Sequence, residues 1–92
     1  GITAGKVGDR LRLIGKSRQV ICITHLPQIA ATADHHFLIR KKAEGTSVRT
    51  DVEMLDEAAS VEELARLLGG ANVTERVMES AKELKELAKC ER

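Results

Sequence analysis

The chain has 92 residues, one small domain or part of a larger one, and 42% of them are hydrophobic, which excludes wholesale disorder. Fifteen basic against fourteen acidic residues give a formal charge of +1, and that balance argues against a dedicated nucleic-acid-binding surface, which would carry a basic excess. No apolar run reaches the ~18 residues of a membrane span, no stretch reads as a signal peptide, and Cys22 and Cys90 read as reduced cytosolic thiols rather than a disulfide framework.

Val7, Leu11 and Ile14 recur at helical spacing and predict an amphipathic helix over 4–15, stopped at Gly15. The next run, Gln19-Val20-Ile21-Cys22-Ile23-Thr24, is short, apolar and mainly β-branched, the composition of a strand covered on both faces in a parallel sheet. Pro27 suits the first turn of a helix, so a short helix is expected over 27–32. Helix followed by buried strand points to an α/β arrangement. The turn between strand and helix carries His25, at the strand edge where ligands bind in open α/β sheets.

Two alternating runs follow, one through His36, Phe37, Leu38, Ile39, Arg40 and Lys41. The other places Val48, Thr50, Val52 and Met54 against Arg49, Asp51 and Glu53. Around the Gly45 turn they predict a half-exposed β-hairpin with one apolar face. Ser60-Val61-Glu62-Glu63 has the form of a capping box, with Leu64, Leu67 and Leu68 as the buried stripe and Gly69-Gly70 as the stop. Asn72 or Thr74 can cap a last helix whose inner face is Val77, Ala81, Leu84 and Ala88. Its solvated face is Glu75, Lys82, Glu83, Lys85 and Glu86. The glycosylation sequon Asn72-Val73-Thr74 is better explained as this cap.

The predicted strand needs parallel neighbours on both sides, and the chain holds no second run of its kind. The missing strands are expected in sequence preceding Gly1, which makes the chain a partial domain. An imidazole at a sheet edge can donate a hydrogen bond to a phosphate or act as acid or base. A lone histidine in a turn is otherwise simply exposed or satisfied by backbone. His35 and His36 are adjacent and so point to opposite faces of a strand; a structural or solvated role suits them better than a shared metal. Gly1, Gly5 and Gly8 do not build a phosphate loop, since no G-x-x-x-x-G-K-[ST] occurs, and they fit a helix start equally well. Glu83 and Glu86 lack a partner histidine or nucleophile, so they are not read as paired catalytic carboxylates.

Val20 to Ala30, with Thr24-His25-Leu26-Pro27-Gln28 at its centre, resembles the strand and switch-histidine loop of the RecN family of SMC-like ATPases. Glu63 to Gly70, Val73-Thr74 and Ala81 to Leu84 resemble that family's carboxy-terminal helices, so the resemblance runs from Thr3 to about Leu87. Gly1 resembles the last glycine of the D-loop, whose acidic residues are absent here. The resemblance implies the carboxy-terminal part of an ABC/SMC-type P-loop NTPase head, from the D-loop end onward, in a cytoplasmic, nucleoid-associated protein of double-strand-break repair and recombination. It implies ATP and Mg²⁺ as cofactors of the intact protein. The implied partners are the remainder of the head, a second head closing on ATP, and DNA, with no membrane. On His25 falls the role of sensing the γ-phosphate, with Thr24 and Gln28 flanking it.

Walker A, the signature motif and Walker B are missing, so residues 1–92 alone are expected to be inactive in ATP hydrolysis. They are also expected to self-associate through open sheet edges and an apolar patch. The competing reading is a free-standing α/β protein-interaction module without catalytic activity. A small phosphate-binding enzyme built on His25 ranks last, for want of a nucleophile.

Overall fold

The computed structural model describes residues 2–90, with the side chains of 3–89; Gly1, assigned above to a D-loop, lies outside the described residues. The elements run α1 (Ile2–Gly15), α2 (Pro27–Ala30), β1 (His36–Glu44), β2 (Ser47–Leu55), α3 (Glu57–Gly69) and α4 (Glu75–Cys90). The chain is thus α/β in composition, four helices around one two-stranded antiparallel sheet among the described residues.

The core lies between α3 and α4 and is made of small side chains. Val61, Leu64 and Ala65 face Ala81 and Ala88, with Ala31 from the end of α2 joining them and Val77, Met78 and Leu84 packed around. Ala65 and Ala81 are fully buried, which lets the helices approach closely, and Leu64 is the one large side chain sealed from water among the described residues. At the turn between them a Cβ on Gly69 would stand 3.0 Å from Val77, so this corner too is built on a missing side chain. Gly70, at φ 62°, takes the left-handed position that ends α3, its N–H donating to the Arg66 carbonyl at 2.8 Å.

Several expectations shift by a turn or a face. Helix α3 starts at Glu57 rather than after Ser60, because Asp56 is the cap: its carboxylate accepts the Ala59 N–H at 2.8 Å. Ser60 is then an interior residue, buried with Val61, and Glu63 bonds the Arg66 guanidinium instead of reaching back to the backbone. The buried stripe is Ser60, Val61, Leu64 and Ala65, with Leu67 half-buried and Leu68 exposed. Thr74 caps α4 by accepting the Val77 N–H at 3.3 Å. The inner face of α4 is the expected one, but Lys85 also lies on it at 8% exposure. Its ammonium donates to Glu57 Oε2 at 2.8 Å, so the cation is paired as it leaves water.

The hairpin forms over longer strands than predicted, in the register Phe37↔Met54 and Ile39↔Val52, closed by a two-residue turn with Gly45 at φ 62°. Its placement inverts the expectation. The half-buried residues are His36, Leu38, Asp51 and Leu55, all on one face, with three of the four at the base. The apolar face, Phe37, Ile39, Val48, Val52 and Met54, is open to solvent. Helix α1 is likewise half-dressed: Val7 and Ile14 are exposed, and its buried point is Gly8.

The largest departure is the segment 19–24. It forms neither helix nor strand and pairs with no strand among the described residues, and Ile21 and Ile23 are 84% and 86% exposed. A buried parallel strand needs neighbours to take its N–H and C=O groups, and the described chain offers none. The dimensions are those of an open fold. The accessible surface is 7116 Å², against roughly 5,300 Å² expected of a compact folded monomer of this mass. The Cα radius of gyration is 14.3 Å, where a self-contained domain of this length would have about 12 Å.

Candidate functional site

The candidate site is the turn that joins the exposed apolar segment to α2. His25 stands in it with its side chain in solvent. Thr24 Oγ1 accepts the Leu26 N–H at 3.0 Å, a local bond that bends the chain around His25. Leu26 is extended (φ −95°, ψ 116°), as the residue before a proline prefers, and buried Pro27 opens α2. His25 is therefore held on both sides, by a side-chain bond before it and a buried ring after it. Gln28 is half-buried on α2, three residues after His25 in the chain.

Helix α2 is a single turn, too short to hold itself, and three elements grip it. On the α1 side, Gly8 lies so close that a Cβ there would meet Thr32 Cγ2 at 2.8 Å and the Gln28 carbonyl at 3.4 Å. Thr32 cannot swing away freely, because its hydroxyl donates to the Ile29 carbonyl at 2.7 Å. On the α3 side, Ala31 enters the core. From the hairpin, His36 donates through Nε2 to the Ala30 carbonyl at 2.5 Å. Gly8, expected at a helix start rather than in a phosphate loop, is a packing glycine inside α1. His36 was left structural or solvated, and is structural. Neither signal is readable from spacing, since both depend on which elements meet.

Among the described residues no cluster of three or more His, Cys, Asp or Glu side chains could hold a metal ion. The chemistry available at the turn is one imidazole able to donate or accept a single hydrogen bond, beside a hydroxyl already engaged by the backbone. That donor set fits one contact to a phosphate oxygen. It does not supply a phosphate cradle or a carboxylate for Mg²⁺. No helix of the described residues is long and apolar enough to cross a membrane.

No protein-family model matches the chain. A DNA repair protein RecN of Halalkalibacterium halodurans is 46% identical over 88 residues, covering 96% of this chain and 16% of its own length. That of Vibrio cholerae is 44% identical over 84 residues, 91% of this chain and 15% of its own. The RecN of Streptomyces coelicolor is 39% identical over all 92 residues, which amount to 16% of its length. The likeness read from the Thr24 to Gln28 turn thus extends along the whole sequence: the chain is a homologue of the RecN DNA-repair proteins, spanning about one-sixth of their length.

Proposed function

We propose that the chain is the carboxy-terminal part of the ATP-binding head of a RecN-type DNA-repair protein, an SMC-like P-loop NTPase, and that His25 is its γ-phosphate sensor. The observation that carries this reading is the exposed apolar segment ending at His25. Ile21 and Ile23 have the composition of a doubly covered strand and no cover, and the surface in excess of a compact monomer is on the order of 1,800 Å². An excess of that size is what docking onto the rest of a head would remove. With parallel strands on both sides, 19–24 would end at the sheet edge where nucleotides bind, presenting His25 to the crevice.

In that setting the chain's own contribution is small and specific. The imidazole donates one hydrogen bond to a γ-phosphate oxygen, worth about 1.5–3 kcal/mol because the acceptor is charged. Thr24 fixes the turn through the Leu26 N–H, and Gln28 flanks it. ATP with Mg²⁺ supplies the reacting phosphoryl group and its charge neutralisation, held by motifs that residues 1–92 lack. Turnover therefore needs the remainder of the head and a second head closing over the nucleotide, with DNA engaged through the whole protein in the cytoplasm. Alone, the chain binds no ATP productively, and its exposed apolar surfaces favour self-association at high concentration.

The test is a full-length RecN polypeptide carrying this sequence with His25→Ala. ATP binding should persist while hydrolysis falls on the order of ten- to a hundredfold, the scale of one lost transition-state hydrogen bond. Unchanged hydrolysis would remove His25 from the mechanism.

A further inference from the structure

The turn bearing His25 is anchored through α2, and the hairpin reaches α2 by a polar bond from His36 Nε2 to the Ala30 carbonyl. We propose that His36 is a positioning residue, tying the base of the hairpin to α2 and thereby fixing the orientation of the His25 turn.

The path is short and stiff. His36 is the first residue of β1, where it pairs with Leu55, so its backbone is held by the sheet. Its ring, half-buried, meets the carbonyl of the last residue of α2. That carbonyl also accepts the Ala33 N–H at 3.2 Å, so it sits between two donors. Helix α2 is four residues long, a rise of about 6 Å. A tilt at its end is passed almost undiminished to its start, where buried Pro27 and extended Leu26 lead directly to His25. The other grips on α2 are apolar or steric, namely Ala31 in the core and Gly8 against Thr32. Such contacts resist separation but tolerate sliding, whereas a directed N–H to carbonyl bond fixes rotation. Both the neutral ring with its proton on Nε2 and the imidazolium can donate this bond, so the link does not depend on the ring's charge.

The consequence for nucleotide sensing rests on the role proposed for His25, but the link itself does not, and the experiment reads the link. The 92-residue chain is compared by NMR as wild type, His36→Leu and His36→Gln; a glutamine amide nitrogen can reach the position of imidazole Nε2. In His36→Leu the Ala30 and Ala31 amides should exchange about tenfold faster, the scale of one lost hydrogen bond. The His25 ring resonance should move toward that of an unstructured peptide, while the Leu64 and Ala65 amides keep their protection. Glutamine should restore most of both effects. Unchanged His25 and Ala30 signals in the leucine variant overturn the proposal, as does glutamine behaving like leucine or an equal loss at Leu64. Should the leucine variant not fold, the wild-type ring decides: a neutral His36 protonated on Nε2 supports the link, and one protonated on Nδ1 overturns it. Because ATP turnover is not the readout, these outcomes stand apart from the His25→Ala result.

Discussion

Leu64 on α3 and Ile23 before α2 are both aliphatic residues, yet one is 1% exposed and the other 86%. The helical pair α3 and α4 buries its stripe with what the chain itself supplies: a cap at Asp56, small residues at Ala65 and Ala81, and a cross-helix ion pair from Lys85 to Glu57. Among the described residues segment 19–24 has no such partner, and neither does the apolar face of the hairpin. Burial of a helix stripe needs one neighbour, whereas burial of a sheet strand needs neighbours at both edges and cover on both faces. Among the described residues the helical pair is therefore covered by the chain itself, while segment 19–24 is not.

The contrast can be broken hardest in the helical core. Leu64→Ala should cost about 2–5 kcal/mol through the cavity it leaves, enough to abolish cooperative unfolding in a domain this small, as a denaturant titration would show. Next, Gly8→Val places methyls into Thr32, whose hydroxyl is committed to Ile29. The expected loss is about 1–3 kcal/mol of overpacking, visible as faster amide exchange in α2. Its control is Gly5→Ala, where nothing lies within 4 Å of the added Cβ and helix propensity should stabilise by up to about 1 kcal/mol.

Asp56→Ala removes the α3 cap and should cost about 0.5–2 kcal/mol in thermal or chemical unfolding. A smaller effect than that of an equivalent Thr74→Ala change would argue that α3 is held by packing rather than by its cap. Ile23→Asp should change the stability of this chain by no more than about 0.5 kcal/mol, since the side chain is already in water. The smallest effect is electrostatic. The hydrogen bond from Lys85 holds the Glu57 carboxyl below its ordinary value of 4.5, opposed by some desolvation and reinforced by the charges of Lys85 and Lys89. A lowered carboxyl favours the folded state above that value, and the contribution fades as pH falls through 4.5 and then through the folded value. Stability measured from pH 6 down to 3 should therefore decline less steeply in Glu57→Gln.

How much was legible follows the same division. The inner face of α4, the stop at Gly70, the hairpin and the short helix at Pro27 were all readable, because each is dictated by local spacing and turn chemistry. The start of α3 was missed by a turn because Ser60 and Asp56 are both competent caps, and only the core decides which one leaves Val61 inside. Lys85 was assigned to solvent because a charge on an inner face becomes tolerable only when its partner, Glu57 on another helix, is known. The alternation in β2 identified an apolar face but could not say that the opposite face would meet the body through Leu38 and Leu55. At the site, His25 was marked by its place between the apolar run and Pro27, and Thr24 and Gln28 by the resemblance alone. Gly8 and His36 were not, since their partners lie on other elements.

The claim on which the account turns is that 19–24 is a strand lacking its sheet, and amide exchange at Ile21 and Ile23 tests it directly. In the 92-residue chain as a monomer these amides should exchange at nearly the rate of an open peptide. Within a full-length RecN polypeptide carrying the same sequence they should be slowed on the order of a thousandfold or more, as in a central strand. Equal exchange in both would mean that no sheet ever receives this segment, and the placement of His25 at a nucleotide crevice would fall with it.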